Sequence, residues 1–240
     1  MEPLWHSIVQ GLHGIGIHLD DRAAGSIAAA GTQGSGAMDL PNLVALAAAL
    51  GWASGFRLYA VVFLVGAAGQ AGWIALPPGL AVLQHPAVLI ASGVLLGVEF
   101  FADKIPGVDS LWDLMQSVIR IPAGAALAAG ALGADGATAA TTLAALLGGT
   151  LAATSQATKT TTRAAINTSP EPFSNLLASL FEDGLVVGAV WLAVTHPFVF
   201  GGALLIALAL MAVVTVTLFK FLRAAWRRLS VFLSGSPKAV

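Results

Sequence analysis

Residues 184–219 read GLVVGAVWLAVTHPFVFGGALLIALALMAVVTVTLF, with no Asp, Glu, Lys or Arg among them. The run is longer than one bilayer crossing, which takes about 20 apolar residues, and Thr195-His196-Pro197 interrupts it where proline turns the chain. It reads as most of one membrane span, about 175–194, followed by another, about 197–219. Two further stretches are nearly free of charge: 40–83 with one arginine and 121–156 with one aspartate. Across 240 residues, 57% are hydrophobic and 10% charged, against roughly a quarter charged in a soluble domain. The expected fold class is therefore all-α, a polytopic membrane helix bundle of about six spans.

Working outward, the first span covers about 41–69. That exceeds what a bilayer requires, so it is tilted, continued into an interface, or broken near Gly51 to Gly55. The second covers 85–103, entered through Pro77-Pro78 and His85-Pro86. The third and fourth, about 119–132 and 137–153, are short and rich in alanine and glycine, residues that let helix backbones approach closely in lipid. Between the second and third, Asp109, Asp113, Gln116, Ser117 and Arg120 form one face of a helix over 105–120, and Leu111, Trp112, Met115 and Val118 the other. This predicts an interfacial helix capped by Asp109 or Ser110. The domain division is 1–40, an amphipathic surface helix carrying Trp5, Ile8, Val9, Leu12 and Ile15 plus a small-residue linker; 41–229, the transmembrane domain; and 230–240, a tail. No removable signal peptide is expected. The spans divide as three plus three, a candidate inverted repeat, although the two His-Pro turns suggest a parallel relationship instead.

Lysine and arginine placement sets the expected orientation. With both termini cytoplasmic, Arg22, Lys104, Arg120, Lys159, Arg163 and the C-terminal basic residues all fall inside, and the external turns at 70–84, 133–136 and 195–196 carry none. The expected location is a bacterial-type inner membrane. The net charge of -1 argues against nucleic acid, and the basic run Lys220, Arg223, Arg227, Arg228 follows a span, where it reads as an anchor to anionic headgroups. Without cysteine there is no disulfide, thiolate metal site or cysteine nucleophile. His6, His13 and His18 with Asp20 and Asp21 match no metal spacing, and His85 and His196 read as turn residues, so no metal and no cofactor is expected. The motifs of phosphate loops, nucleophile elbows and zinc proteases are absent from the sequence. Enzyme chemistry has no clear foothold beyond a lipid-headgroup activity at Asp109 and Asp113.

The charges inside the spans are the informative residues. Glu99 and Asp103 share a helix face beside Lys104, and a carboxylate in hydrocarbon needs a cation, water or a proton. Glu182 and Asp183 lie about a third of the way into the fifth span, with Asn175 and Ser179 on nearly the same side. Arg57 sits mid-span, one turn after Ser54, and calls for a carboxylate or an anion. Ser155, Lys159, Arg163 and Asn167 recur every four residues, a stripe that reads either as a solvated cytoplasmic face or as the partner of those acids.

Ala53-Ser-Gly-Phe-Arg-Leu58, Glu99-Phe-Phe-Ala-Asp-Lys-Ile-Pro-Gly-Val-Asp-Ser110 with Asp113, and Ala157-Thr-Lys-Thr-Thr-Thr-Arg-Ala-Ala-Ile-Asn167 with Asn175 and Glu182-Asp183 together resemble the uncharacterised membrane proteins of domain-of-unknown-function family 4126. The resemblance covers about 43–229. It departs at Thr154-Ser155-Gln156, where members often carry a histidine. It implies no reaction, but it implies that the charged positions are those that make the family recognisable, which moves Lys159 and Arg163 away from an incidental wet face.

The functional expectation is a small transporter or channel-like protein for a small ion or polar metabolite. Its path would be formed by Arg57, Glu99, Asp103, Lys104, Asp109, Asp113, Lys159, Arg163, Asn167, Asn175, Glu182 and Asp183. The alternative is a structural or assembly protein whose buried charges lock helices or dock a partner subunit. Expected partners are the lipid bilayer, the solute, and either a second copy or another membrane subunit.

Overall fold

A computed structural model of the chain describes residues 38–105, 107–133, 139–168 and 172–233. The expected N-terminal surface helix and linker, with His6, His13 and His18, and most of the expected C-terminal tail lie outside the described residues. Among the described residues six α-helices follow in order: α1 (Leu40–Gln70), α2 (Pro86–Ala102), α3 (Val108–Leu132), α4 (Ala139–Ile166), α5 (Pro172–Thr195) and α6 (Pro197–Leu233). A 3-10 turn, Pro78–Gln84, precedes α2, and there is no strand among the described residues.

Four helices, α1, α3, α5 and α6, are long and apolar enough to cross a membrane. The 3-10 turn and α2, bent by 68° at His85, make a fifth when taken together as one broken span. Proline at the start of each piece explains the break, and His85 Nδ1 accepts from Ala87 N to cap α2. The α4 helix is long as well, but Lys159, Arg163 and a run of threonines lower its apolarity, so the described helices do not reach the expected six on length and composition.

Helix α1 is the axis, and the other five helices pack around it. Its Leu46, Leu50, Val61 and Val65 have no exposure. Small residues let α3 and α4 close against it. A Cβ on Gly51 would lie 2.5 Å from Gly148 Cα, and one on Gly124 would lie 2.5 Å from Ser54 Oγ. The first is a backbone-to-backbone approach and the second sets a backbone against a small side chain, close contacts of the kind that replace the hydrophobic effect between helices in lipid. Gly51 and Gly55 thus serve contact, and the expected break falls two residues later, at Arg57 (φ -146°, ψ 79°).

The third span and the expected interfacial helix are one continuous helix, α3, running through Pro122. Gly107, with φ +87°, is its N-cap; Asp109 and Ser110 sit in the first turn, and Asp109 Oδ1 accepts from Gly107 N. The amphipathic pattern holds but faces the opposite way. Leu111, Leu114, Met115 and Val118 are each more than 60% exposed, whereas Asp109, Asp113 and Arg120 have no exposure. The same inversion occurs on α5, where Leu177 and Phe181 are exposed and Asn175 and Ser179 are buried. A helix that turns its apolar side outward and its charges inward suits hydrocarbon surroundings, where the polar groups need one another.

Candidate functional site

The inward-facing polar residues meet in one place. It lies where the break in α1, the end of α2, the first half of α3, the second half of α4 and the first half of α5 converge. Leaving the helix at Arg57 aims its guanidinium at α2 and α5. Nη2 is 3.1 Å from Asp103 Oδ2 and donates to Ser179 Oγ at 2.6 Å, and Nε lies 2.9 Å from Asp183 Oδ1. Arg120, from α3, pairs with Glu99 through Nη2 and with Asp113 through Nη1 at 2.9 Å. Arg163, from α4, binds Glu182 with two nitrogens, at 3.1 and 3.3 Å, and donates from Nη1 to the Asn175 carbonyl at 3.0 Å.

Lys159 stands among these three arginine–carboxylate groups. Its Nζ lies 3.1 Å from Asp113 Oδ1, 3.2 Å from Asp103 Oδ2 and 3.3 Å from Glu182 Oε2, and it donates to the Phe56 carbonyl at 3.1 Å. Phe56 immediately precedes the break in α1, so the side chain of α4 satisfies the backbone of α1 where regular helix stops. Of the two readings of the i, i+4 stripe, the structure has the one that pairs it with the acids: Ser155, Lys159 and Arg163 are buried, and Asn167 is partly buried.

A neutral arm extends from the charges. Asn175 Nδ2 donates to Asn167 Oδ1 at 2.8 Å, and Asn167 Nδ2 donates to both oxygens of Asp109 at 2.9 and 3.0 Å. Lys104 stays at the margin, donating to the Phe100 carbonyl with its ammonium over the Phe100 ring. Of the twelve candidate residues, the structure therefore joins all but Lys104 into one network.

Arg120, Gln156, Ser179 and Ser110 belong to the network and lie outside the candidate set; Ser179 Oγ accepts from Arg57 and Ser110 Oγ from Asn167. Arg120 was seen as part of the polar face of α3, and its spacing of seven from Asp113 was the available signal. Gln156 accepts from Arg120 Nη1 and donates to the Asp113 carbonyl, both at 2.8 Å. It lies three positions before Lys159 on the same buried side of α4.

Several buried atoms of the network make no hydrogen bond: Glu99 Oε2, Asp103 Oδ1, Asp113 Oδ2, Arg57 Nη1 and Arg120 Nε. Among the described residues no group of three His, Asp or Glu is arranged to hold a metal ion. A cleft of about 370 Å³ between α1, α5 and α6 is apolar, lined by Trp52, Gly188, Trp191, Phe200 and Ala207, and stands apart from the charges.

Residues 44–217 match the family described as "Domain of unknown function (DUF4126)". The chain belongs to the DUF4126 family. No curated protein and no solved structure matches it. Every charged member of the network falls within the DUF4126 region, whereas Lys220, Arg223, Arg227 and Arg228 of α6 lie beyond it.

Proposed function

We propose that this DUF4126 protein moves a small ion or polar solute across the membrane through the site at the break of α1. The observation that carries the reading is that a central helix, mostly buried, leaves helical geometry at a buried arginine, where charges from four other elements gather. Broken helices at ion and substrate sites supply free backbone carbonyls and oriented dipoles without exposing backbone to lipid. The paired charges correspond to a closed conformation, and the unpartnered oxygens of Glu99, Asp103 and Asp113 offer acceptors to a passing ion or proton. In this reading α4 and the bent 3-10/α2 pair also cross, giving six spans with both termini cytoplasmic and the site in the cytoplasmic half of a bacterial inner membrane. Purified protein in proteoliposomes should carry flux that Arg57→Gln and Glu182→Gln each abolish while both variants remain folded. Undiminished flux in both variants would remove these residues from the path.

That each buried arginine of the network has a carboxylate partner favours a second reading, in which the network is a lock between helices or part of an assembly unit. It predicts that the same substitutions lower stability in detergent to the same degree that they lower any activity, and that another membrane subunit copurifies.

A further inference from the structure

Lys159 offers three N–H groups to four oxygens: Asp103 Oδ2, Asp113 Oδ1, Glu182 Oε2 and the Phe56 carbonyl. One oxygen at any instant feels only the charge. Such surplus of acceptors around a centre is how oxygen ligands surround a spherical cation, rather than how a directional donor is satisfied. The four oxygens come from α1, the end of α2, α3 and α5, so the ammonium reaches them from a fifth element, α4. Asp103 and Asp113 are buried, and each keeps a second oxygen without a partner.

From this we infer that the Lys159 ammonium fills the place of a monovalent cation as a tethered ion: with the ammonium there the carboxylates are not arranged to hold a metal ion, and withdrawing it would open a site at the four oxygens. The separations, 3.1–3.3 Å from Nζ, are those of an ammonium among oxygens, and a place that a single positive charge fills calls for a monovalent cation rather than magnesium or calcium. The charge balance points the same way. Glu99, Asp103, Asp113, Glu182 and Asp183 are met by three arginines, Arg57, Arg120 and Arg163, and Lys159 supplies the fourth positive charge, so the paired acids outnumber the cations even with it in place. Without it the excess of carboxylate grows by one more in a medium where bare charge is costly, and a cation or a proton must enter. The inference deepens the transport reading by naming its ligand class, a monovalent cation that exchanges with the lysine head. It is tested by binding, so its failure is distinct from a failure to find flux.

The test uses the full chain in detergent with Lys159→Met, which keeps the apolar stem and deletes the ammonium. Its unfolding midpoint should rise by roughly 5 °C or more between choline chloride and potassium or sodium chloride at equal ionic strength. The wild type should show no such difference, because its site is filled. The double variant Lys159→Met with Asp113→Asn removes the added excess of carboxylate and should lose the response. A midpoint for Lys159→Met that follows pH but not potassium or sodium means that a proton fills the place, and overturns the inference. Should Lys159→Met be recovered folded only from potassium or sodium buffers, the inference stands. Recovery in neither salt while the double variant folds overturns it.

Discussion

Removing one partner of a buried ion pair is more damaging than never having had the pair, because the survivor stays desolvated and uncompensated. Arg120 is the clearest case. It has no exposure and is the closest cation to both Glu99 and Asp113. Arg120→Met should destabilise the protein by about 3–5 kcal/mol in denaturant titrations in detergent, and adding Glu99→Leu should restore part of the loss. The neutral arm is weaker. Asn167→Ala deletes hydrogen bonds to a carboxylate and should cost about 1.5–3 kcal/mol in the same titration. Most network residues were readable in the sequence because an ionisable group inside an apolar run has no bland explanation in hydrocarbon. Gln156 was not: an uncharged side chain just past the end of the expected fourth span carries no such signal, and only the approach of α3 shows which face it serves.

At the scale of the helix, glycines separate into two populations with opposite expected behaviour. Gly51 touches the backbone of Gly148, and neither helix can retreat without opening the α1–α4 contact, so Gly51→Val should give a poorly folded, aggregation-prone protein by size-exclusion chromatography. Gly184 in α5 has nothing within 4 Å of where a Cβ would stand. Gly184→Ala should therefore raise stability by about 0.5–1 kcal/mol through helix propensity alone. Apolar runs and proline turns placed the starts of α1, α2, α5 and α6 within a few residues, whereas α3 begins well before the expected third span and α4 runs on to Ile166, past the expected end at 153. What periodicity could not say is which side of an amphipathic helix faces in. The pattern of α3 is the same for a helix on the membrane surface and for one whose polar face is buried, and only the complementary charges on α2 and α4 decide between them.

For the molecule as a whole, this inversion makes the outer surface testable. Val118 is 76% exposed on α3. If that surface meets lipid, Val118→Lys should lower membrane insertion by about 2.5–3.5 kcal/mol in a translocon insertion assay, and unaltered insertion would argue against α3 as a span. Helix α6 is the least embedded: only 11% of its apolar window is buried, and its 37 residues extend about 55 Å, well past a hydrocarbon core of about 30 Å. Its final turns thus carry Lys220, Arg223, Arg227 and Arg228 beyond the bundle. The mid-helix arginine of α1 has a consequence for biogenesis. During synthesis Arg57 emerges before Asp103 and Asp183, the acids that neutralise it. Released alone into the bilayer, α1 would hold an unpaired guanidinium at mid-depth. It should therefore remain in the aqueous insertion channel, or beside a helper protein, until α2 arrives, and time-resolved crosslinking to the channel should find α1 retained in the native chain and released early in Arg57→Leu.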